Sequence, residues 1–136
     1  MLEYAASVWG PYEKQHKEKL ENIQRRAARF VLNKHQCIES VTNMLKTLEW
    51  KSLEERRKNT RLLMCYKIKN NLVSCPRLKE QLQSPRKRAR RGHDQQMTQI
   101  TANTDYRLMS FLPRTIADWN SLPRDTVSRY GFSILP

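Results

Sequence analysis

An excess of positive charge is the feature that most limits what this chain can fold into. Its 136 residues include 26 Lys and Arg against 13 Asp and Glu, which gives a net charge of +13. Leu, Ile, Val and Phe together supply only 29 residues. That is close to the level of about one-fifth at which a highly charged chain is not expected to fold alone. The chain can therefore build one modest core, in one domain or a domain with tails.

The positive charge per residue is highest in one short stretch. Residues 1–76 have a net charge of +7, residues 77–95 have +5, and residues 96–136 are almost neutral. We therefore divide the chain into a helical domain at 1–74, a basic linker at 75–95 and a C-terminal unit at 96–136. This asymmetry predicts a polyanionic partner, most simply a nucleic acid.

Membrane insertion and secretion are not predicted. The longest unbroken apolar run, at residues 62–66, is far shorter than the roughly 20 residues that a membrane-spanning helix needs. Cys37, Cys65 and Cys75 are odd in number and widely spaced, so they indicate no disulfide framework and favour a reducing compartment. We expect a nuclear or cytoplasmic protein that has no membrane partner.

The first long helix is predicted over residues 13–32. Its apolar residues fall within an arc of about 100°, so this face is predicted to be buried. They are Leu20, Ile23, Ala27, Phe30 and Val31. Arg25, Arg26 and Arg29 lie on the opposite side, where they form either an ordinary solvated surface or contacts to phosphate groups. Glu21, four residues before Arg25, can hold part of this charge in a pair within the helix.

Two further helices are predicted in the first half of the chain. A short one follows Ser40, and a longer one at 53–70 begins with a capping box, because Ser52 is followed three residues later by Glu55. Two Asn residues at 70–71 tolerate the left-handed conformation with which helices commonly end. This part of the chain is therefore predicted to be a helical bundle.

A basic cluster occupies residues 86–91, between a Pro and a Gly that predict a loop. Its five cationic residues are Arg86, Lys87, Arg88, Arg90 and Arg91. Three interpretations stay open for this cluster, because short basic runs serve in all of them. They are a solvated linker, a nucleic-acid contact and a nuclear-import signal.

The last third of the chain is predicted to contain a β-hairpin and two helices. Residues 97–101 and 107–111 can pair around a turn at 103–105. A helix is predicted at 113–121, where Pro suits the first turn, and a shorter one at 124–129. The predicted fold class is accordingly mainly α, with a helical bundle, a basic linker and a small hairpin-and-helix unit.

The sequence contains no constellation of residues that predicts catalysis or metal binding. Gly10, Gly92 and Gly131 are isolated, so no phosphate-binding glycine loop is predicted. His35 and Cys37 supply at most one pair of the four ligands that a closed zinc site requires. We therefore expect that the chain is not an enzyme on its own and that it holds no cofactor.

Four sequence blocks nevertheless follow one another in a distinctive order. They are LEYAASVWGP at 2–11, LENIQRRAARF at 20–30, LEWKSLEERR with YKI at 48–57 and 66–68, and TDY, SFLPRTI and WNSLP at 104–123. In this order they resemble the region that follows the polymerase palm in reverse transcriptases of non-LTR retrotransposons of the LINE type (jockey/CR1-like). The resemblance covers nearly the whole chain.

The resemblance implies a thumb-like domain and C-terminal region that grip a template–primer duplex of RNA, or of RNA and DNA. In that family the fingers and palm lie upstream, and palm aspartates hold the Mg²⁺ ions of nucleotide transfer. This chain is then expected to be a non-catalytic part whose partners are nucleic acid and the upstream palm and fingers. Its expected phosphate contacts are Arg25, Arg26, Arg29 and the basic cluster. Its expected packing anchors are Trp9, Trp50, Phe111 and Trp119.

Two other functions stay open at this point. A decayed or domesticated remnant of such a polymerase would bind another protein through an exposed apolar face. A small basic nuclear protein would bind RNA by itself. This hypothesis accounts for the charge of the chain but not for the order of its motifs.

Overall fold

A computed structural model describes residues 5–6, 10–34, 40–85 and 93–130, leaving aside the side chains of 128–130. These residues contain α1 (Lys14–Val31), α2 (Val41–Thr47), α3 (Leu53–Lys69), α4 (Pro76–Gln81), α5 (Asp105–Leu108), α6 (Phe111–Asn120) and α7 (Arg124–Tyr130). No β-strand occurs within those ranges. The prediction of a mainly α fold is therefore confirmed.

Four of the predicted helices agree with the structure to within two residues. The predictions at 13–32, 53–70, 113–121 and 124–129 correspond to α1, α3, α6 and α7, and α2 is the short helix predicted between the first two. α6 begins two residues before Pro113, which therefore lies in the first turn of the helix. A Pro is tolerated there because the first amide groups of a helix have no partner within it.

The described helices belong to two compact units, Met1–Thr60 and Arg61–Pro136, and the division falls within α3. This division differs from the predicted boundaries after residues 74 and 95. α4 occupies part of the predicted linker, because Pro76 takes the first helical position, where its missing N–H is not needed. Leu78 and Leu82, four residues apart, both pack in the core of the second unit.

The predicted signals at the two ends of α3 are confirmed. The Ser52 hydroxyl oxygen accepts a hydrogen bond of 3.2 Å from the Glu55 N–H, which is the first of the two bonds of a capping box, while the Glu55 carboxylate lies 3.4 Å from Lys51 Nζ. After the last turn, Asn71 adopts a positive φ of 59°. The Leu72 N–H then donates to the Lys67 carbonyl at 2.9 Å, which satisfies a carbonyl at the end of the helix.

The apolar face predicted for α1 is not its buried face. Ile23, Phe30 and Val31 are exposed, whereas the buried residues of α1 are Gln24 and Ala28. The prediction was wrong because hydrophobic periodicity assumes an apolar neighbour. In the structure, α1 contacts α2, and polar side chains on its inward side also bond to backbone groups at the start of α3.

Three polar side chains, at intervals of four and three residues along α1, make this contact. Lys17 Nζ lies 2.6 Å from Glu54 Oε1, Glu21 Oε1 accepts a 3.1 Å hydrogen bond from the Glu54 N–H, and Gln24 Nε2 donates to the Lys51 carbonyl at 2.9 Å. Amide groups in the first turn of a helix lack partners within it, and a carboxylate there also interacts favourably with the helix dipole. Together with the contact between α1 and α2, these bonds fix how α1 is turned about its own axis.

The hydrophobic core of the second unit combines residues from α3, α6 and α7 with the segments around α4 and residue 97. Its buried members are Leu62, Cys65, Ile68, Leu82, Met97, Leu112, Ile116, Trp119 and Val127. Trp119 is only 1% exposed, and its indole N–H donates to the Gln95 carbonyl at 2.9 Å. The ring is thus buried without leaving its polar atom unsatisfied.

The predicted β-hairpin of residues 97–101 and 107–111 is wrong. The side-chain amide of Asn120 takes both backbone groups of Met97, accepting from its N–H at 2.9 Å and donating to its carbonyl at 2.8 Å. A second strand is therefore not needed to satisfy this residue. Where that strand was predicted, the chain instead forms α5 and the start of α6.

Replacing Asn120 with Ala is expected to lower the free energy of unfolding by about 1–3 kcal/mol, because both partners of the Met97 backbone are removed. The measurement is urea denaturation followed by circular dichroism. Asn103→Ala, at an exposed position, is the control and should change stability by less than about 0.5 kcal/mol. Equal stability of the two variants would contradict the role assigned to Asn120.

Candidate nucleic-acid interface

Three exposed cations, Lys19, Arg25 and Arg26, form what we call the cationic side of α1. At 100° per residue they lie within an arc of about 120°. Among the described residues, no carboxylate forms an ion pair with any of them. Arg25 Nη1 donates to Asn22 Oδ1 at 3.2 Å, a bond that leaves its charge uncompensated. The prediction omitted Lys19, although Lys19 precedes Arg26 by seven residues, or about two helical turns, and therefore lies on the same side of the helix.

The carboxylate of Glu21 does not compensate this charge. It accepts a hydrogen bond from the Glu54 N–H at the start of α3, whereas the sequence allowed it to pair with Arg25 four residues later. The exposed pair between Lys14 and Glu18, at 3.9 Å, is the i,i+4 ion pair found within α1. Exposed pairs of this kind contribute little free energy, and this one does not involve the cationic side.

Arg29, the third predicted contact on α1, is less available than Arg25 or Arg26. Its side chain is half-buried, and its Nε is buried with no hydrogen-bond partner in the described part of the chain. Arg29 lies in the last turn of α1, where a cation interacts favourably with the free carbonyls of the helix end. The guanidinium therefore has a structural reason to be there.

The remaining predicted phosphate contacts lie outside the described residues, and so does Trp9. These contacts are Arg86, Lys87, Arg88, Arg90 and Arg91. Their role stays a prediction.

The other predicted packing anchors differ in how deeply they are buried. Trp119 lies within the core of the second unit, and Phe111 is half-buried against that core. Trp50 is half-buried in the first unit, where its backbone N–H donates to the Leu45 carbonyl at 2.8 Å after the end of α2. A ring that is buried or half-buried has little free face on which a nucleotide base could stack.

Two other cations serve the fold of the second unit. Arg61 is 6% exposed, and its Nη2 lies 2.9 Å from Asp118 Oδ2, since a buried guanidinium requires a partner. Lys69 Nζ lies 3.2 Å from the Gln95 carbonyl oxygen and 5.6 Å from the centre of the Trp119 ring. Burial lowers the pKa of Lys69. Because both cations have partners within the second unit, we do not include Arg61 and Lys69 in the interface.

The part of the chain that the structure describes brings no catalytic group together with a partner. No group of three His, Cys, Asp or Glu in that part could hold a metal ion. His93 is buried, and its Nε2 donates to the Trp119 carbonyl at 3.0 Å, while its Nδ1 meets no hydrogen-bond partner there. Cys65 is also buried, and burial raises the pKa of its thiol to about 11, the opposite of what an activated nucleophile requires.

No protein-family model, curated protein or solved structure matches the chain. The resemblance to LINE-type reverse transcriptases therefore stays a prediction based on the order of the motifs. Over the described ranges, every helix is either too short or too polar to cross a membrane. What the structure itself offers is a cationic helix side whose charge is not used within the fold.

The thiol of Cys65 is expected to resist alkylation in the folded chain. A rise in its pKa from 9.0 to about 11 lowers the thiolate population at pH 8 by about a hundredfold, and burial of the side chain slows the reaction further. The same shift contributes stability below pH 9 that is lost as the pH rises toward 11, because the unfolded chain loses its proton first.

The measurement is the rate of alkylation by iodoacetamide at each cysteine, followed by peptide mass spectrometry. The half-buried Cys75 provides the internal comparison and should react faster than Cys65. Equal rates at Cys65 in the native chain and in urea would show that the thiol is not buried as described.

Proposed function

We propose that this chain binds the phosphate backbone of RNA, or of an RNA–DNA duplex, through the cationic side of α1. The observation that carries the proposal is that Arg25 and Arg26 are exposed without a paired carboxylate, while Glu21 is held at the start of α3. The net charge of +13 favours the same partner, since neutralising phosphates releases counterions and drives binding.

The resemblance found in the sequence supports a more specific role. We propose that the chain acts as the non-catalytic thumb and C-terminal part of a LINE-type reverse transcriptase. Guanidinium groups can hold a phosphate by two parallel hydrogen bonds, which positions a protein on nucleic acid without reading its sequence. Nucleotide transfer would belong to the upstream palm and fingers, with their Mg²⁺ ions. A nuclear or cytoplasmic location is consistent with these partners.

A second candidate function is that of a protein-interaction module. It is favoured by the exposed apolar residues of α1, Ile23, Phe30 and Val31, since exposed apolar patches commonly mark binding sites. Such a module would bind its partner with little dependence on salt concentration, whereas phosphate contacts are strongly weakened by salt.

The double variant Arg25→Gln/Arg26→Gln is expected to bind a 20-base-pair RNA–DNA duplex more weakly than the parent chain. The slope of log affinity against log salt concentration should become shallower by about 1.4–1.8, because each phosphate contact contributes about 0.7–0.9. The measurement is fluorescence anisotropy of a labelled duplex across a series of salt concentrations.

The control is Arg77→Gln/Arg107→Gln, which removes the same charge from exposed positions on α4 and α5. It is expected to leave the slope close to that of the parent chain. If both double variants reduce the slope equally, binding depends on net charge alone and not on α1. If the parent chain shows no salt dependence, the proposed function fails and the protein-interaction module is favoured.

A further inference from the structure

One exposed stripe of α1 alternates cationic and apolar side chains. Lys19, Ile23, Arg26 and Phe30 follow one another at intervals of four, three and four residues, and all four are exposed. At 100° and 1.5 Å per residue, they lie within an arc of about 60° and span about 16 Å along the helix. We call these four residues the mixed stripe.

Phe30 is the most conspicuous member of this stripe. It is 76% exposed, and Ile23 is 46% exposed. Leaving a phenyl ring in water forgoes the free energy that its burial would provide. The ring faces outward because the bonds of Glu21 and Gln24 to the residues around the start of α3 hold the opposite side of α1 inward.

The combination of exposed cations and an exposed aromatic ring on one stripe fits a nucleic acid. Around the helix axis, Lys19 and Arg26 lie directly beside Phe30 and Ile23, so that charge and ring are presented together within one arc of about 60°. Nucleic acid offers both phosphates for the cations and flat bases for the ring. In a duplex the base faces are covered by stacking, while unpaired bases can stack on an aromatic side chain.

We propose that the mixed stripe binds an unpaired segment of RNA or DNA, with one base stacked on Phe30 and phosphates held by Lys19 and Arg26. The inference rests on the proposed nucleic-acid binding and adds to it a preference for single strands. A thumb-like domain on a template–primer would meet such a segment where the template extends beyond the primer.

The test compares Phe30→Leu with Phe30→Trp, using a 12-nucleotide single-stranded RNA and a blunt RNA–DNA duplex of the same length. Leu keeps an apolar side chain but removes the ring, so affinity for the single strand should fall roughly 5- to 150-fold, as expected for the loss of one stacked base. Duplex affinity should change less than about twofold, and Trp should retain single-strand binding. Circular dichroism should be unchanged, because the side chain is exposed.

Tyr106→Leu is the matched control, because it removes a ring that is 80% exposed on α5. It should not alter affinity for either probe. The proposal is overturned if Phe30→Leu weakens single-strand and duplex binding equally. It is likewise overturned if Phe30→Leu weakens neither. It is also overturned if that variant instead loses binding to phosphatidylserine vesicles while single-strand affinity is retained.

The two proposals can fail separately. If Arg25→Gln/Arg26→Gln reduces the salt slope while Phe30→Leu leaves the ratio of single-strand to duplex affinity unchanged, the stacking role falls and the phosphate interface stands. If the parent chain binds neither probe, both proposals fall.

Discussion

The start of α3 is the constraint on which the arrangement of the first unit depends. Its first amide groups need acceptors, and they find them in the Ser52 hydroxyl and the Glu21 carboxylate. Gln24 reinforces this contact by donating to the Lys51 carbonyl. Since two of these side chains belong to α1, the orientation of that helix about its own axis depends on satisfying a helix end as well as on its contact with α2. Gln24 and Ala28 become the buried residues of α1 as a result.

This orientation has consequences for the surface of α1. Ile23 and Phe30 are exposed to solvent, although they belong to the face that the apolar pattern predicts to be buried. The Glu21 carboxylate accepts from the Glu54 N–H instead of pairing with Arg25, so the positive charge of the helix is not cancelled where it is exposed. One set of hydrogen bonds thus produces both the uncompensated cations and the exposed ring, the two features on which the proposed binding to nucleic acid rests.

The second unit uses a different device, in which side chains near the end of α6 hold an extended segment. The Asn120 amide pairs with both backbone groups of Met97, and the Trp119 indole donates to the Gln95 carbonyl. A strand partner would satisfy such backbone groups in a sheet. Here the segment packs in a helical core instead, which explains how a unit with so few apolar residues keeps residues 95–97 in place. Lys69 and Arg61 also contact residues of this unit, namely the Gln95 carbonyl and the Asp118 carboxylate.

The sequence by itself determined α1, α2, α3, α6 and α7, but not α4 or α5, because capping and helix-breaking are local interactions. The Ser52 hydroxyl that caps the Glu55 N–H and the left-handed Asn71 lie within a few residues of the backbone that they stabilise, and both were predictable. The exposure of Arg25 and Arg26 also followed from their position on a helix.

Only the tertiary structure decided which side of α1 is buried and how residue 97 is held. The partner of Glu21 lies 33 residues later and the partner of Met97 lies 23 residues later, so no local pattern could reveal either. Periodicity locates apolar side chains around a helix axis, but it does not show whether the neighbouring surface is apolar or a set of unsatisfied backbone groups. The exposure of Phe30 therefore emerged only once the chain had folded.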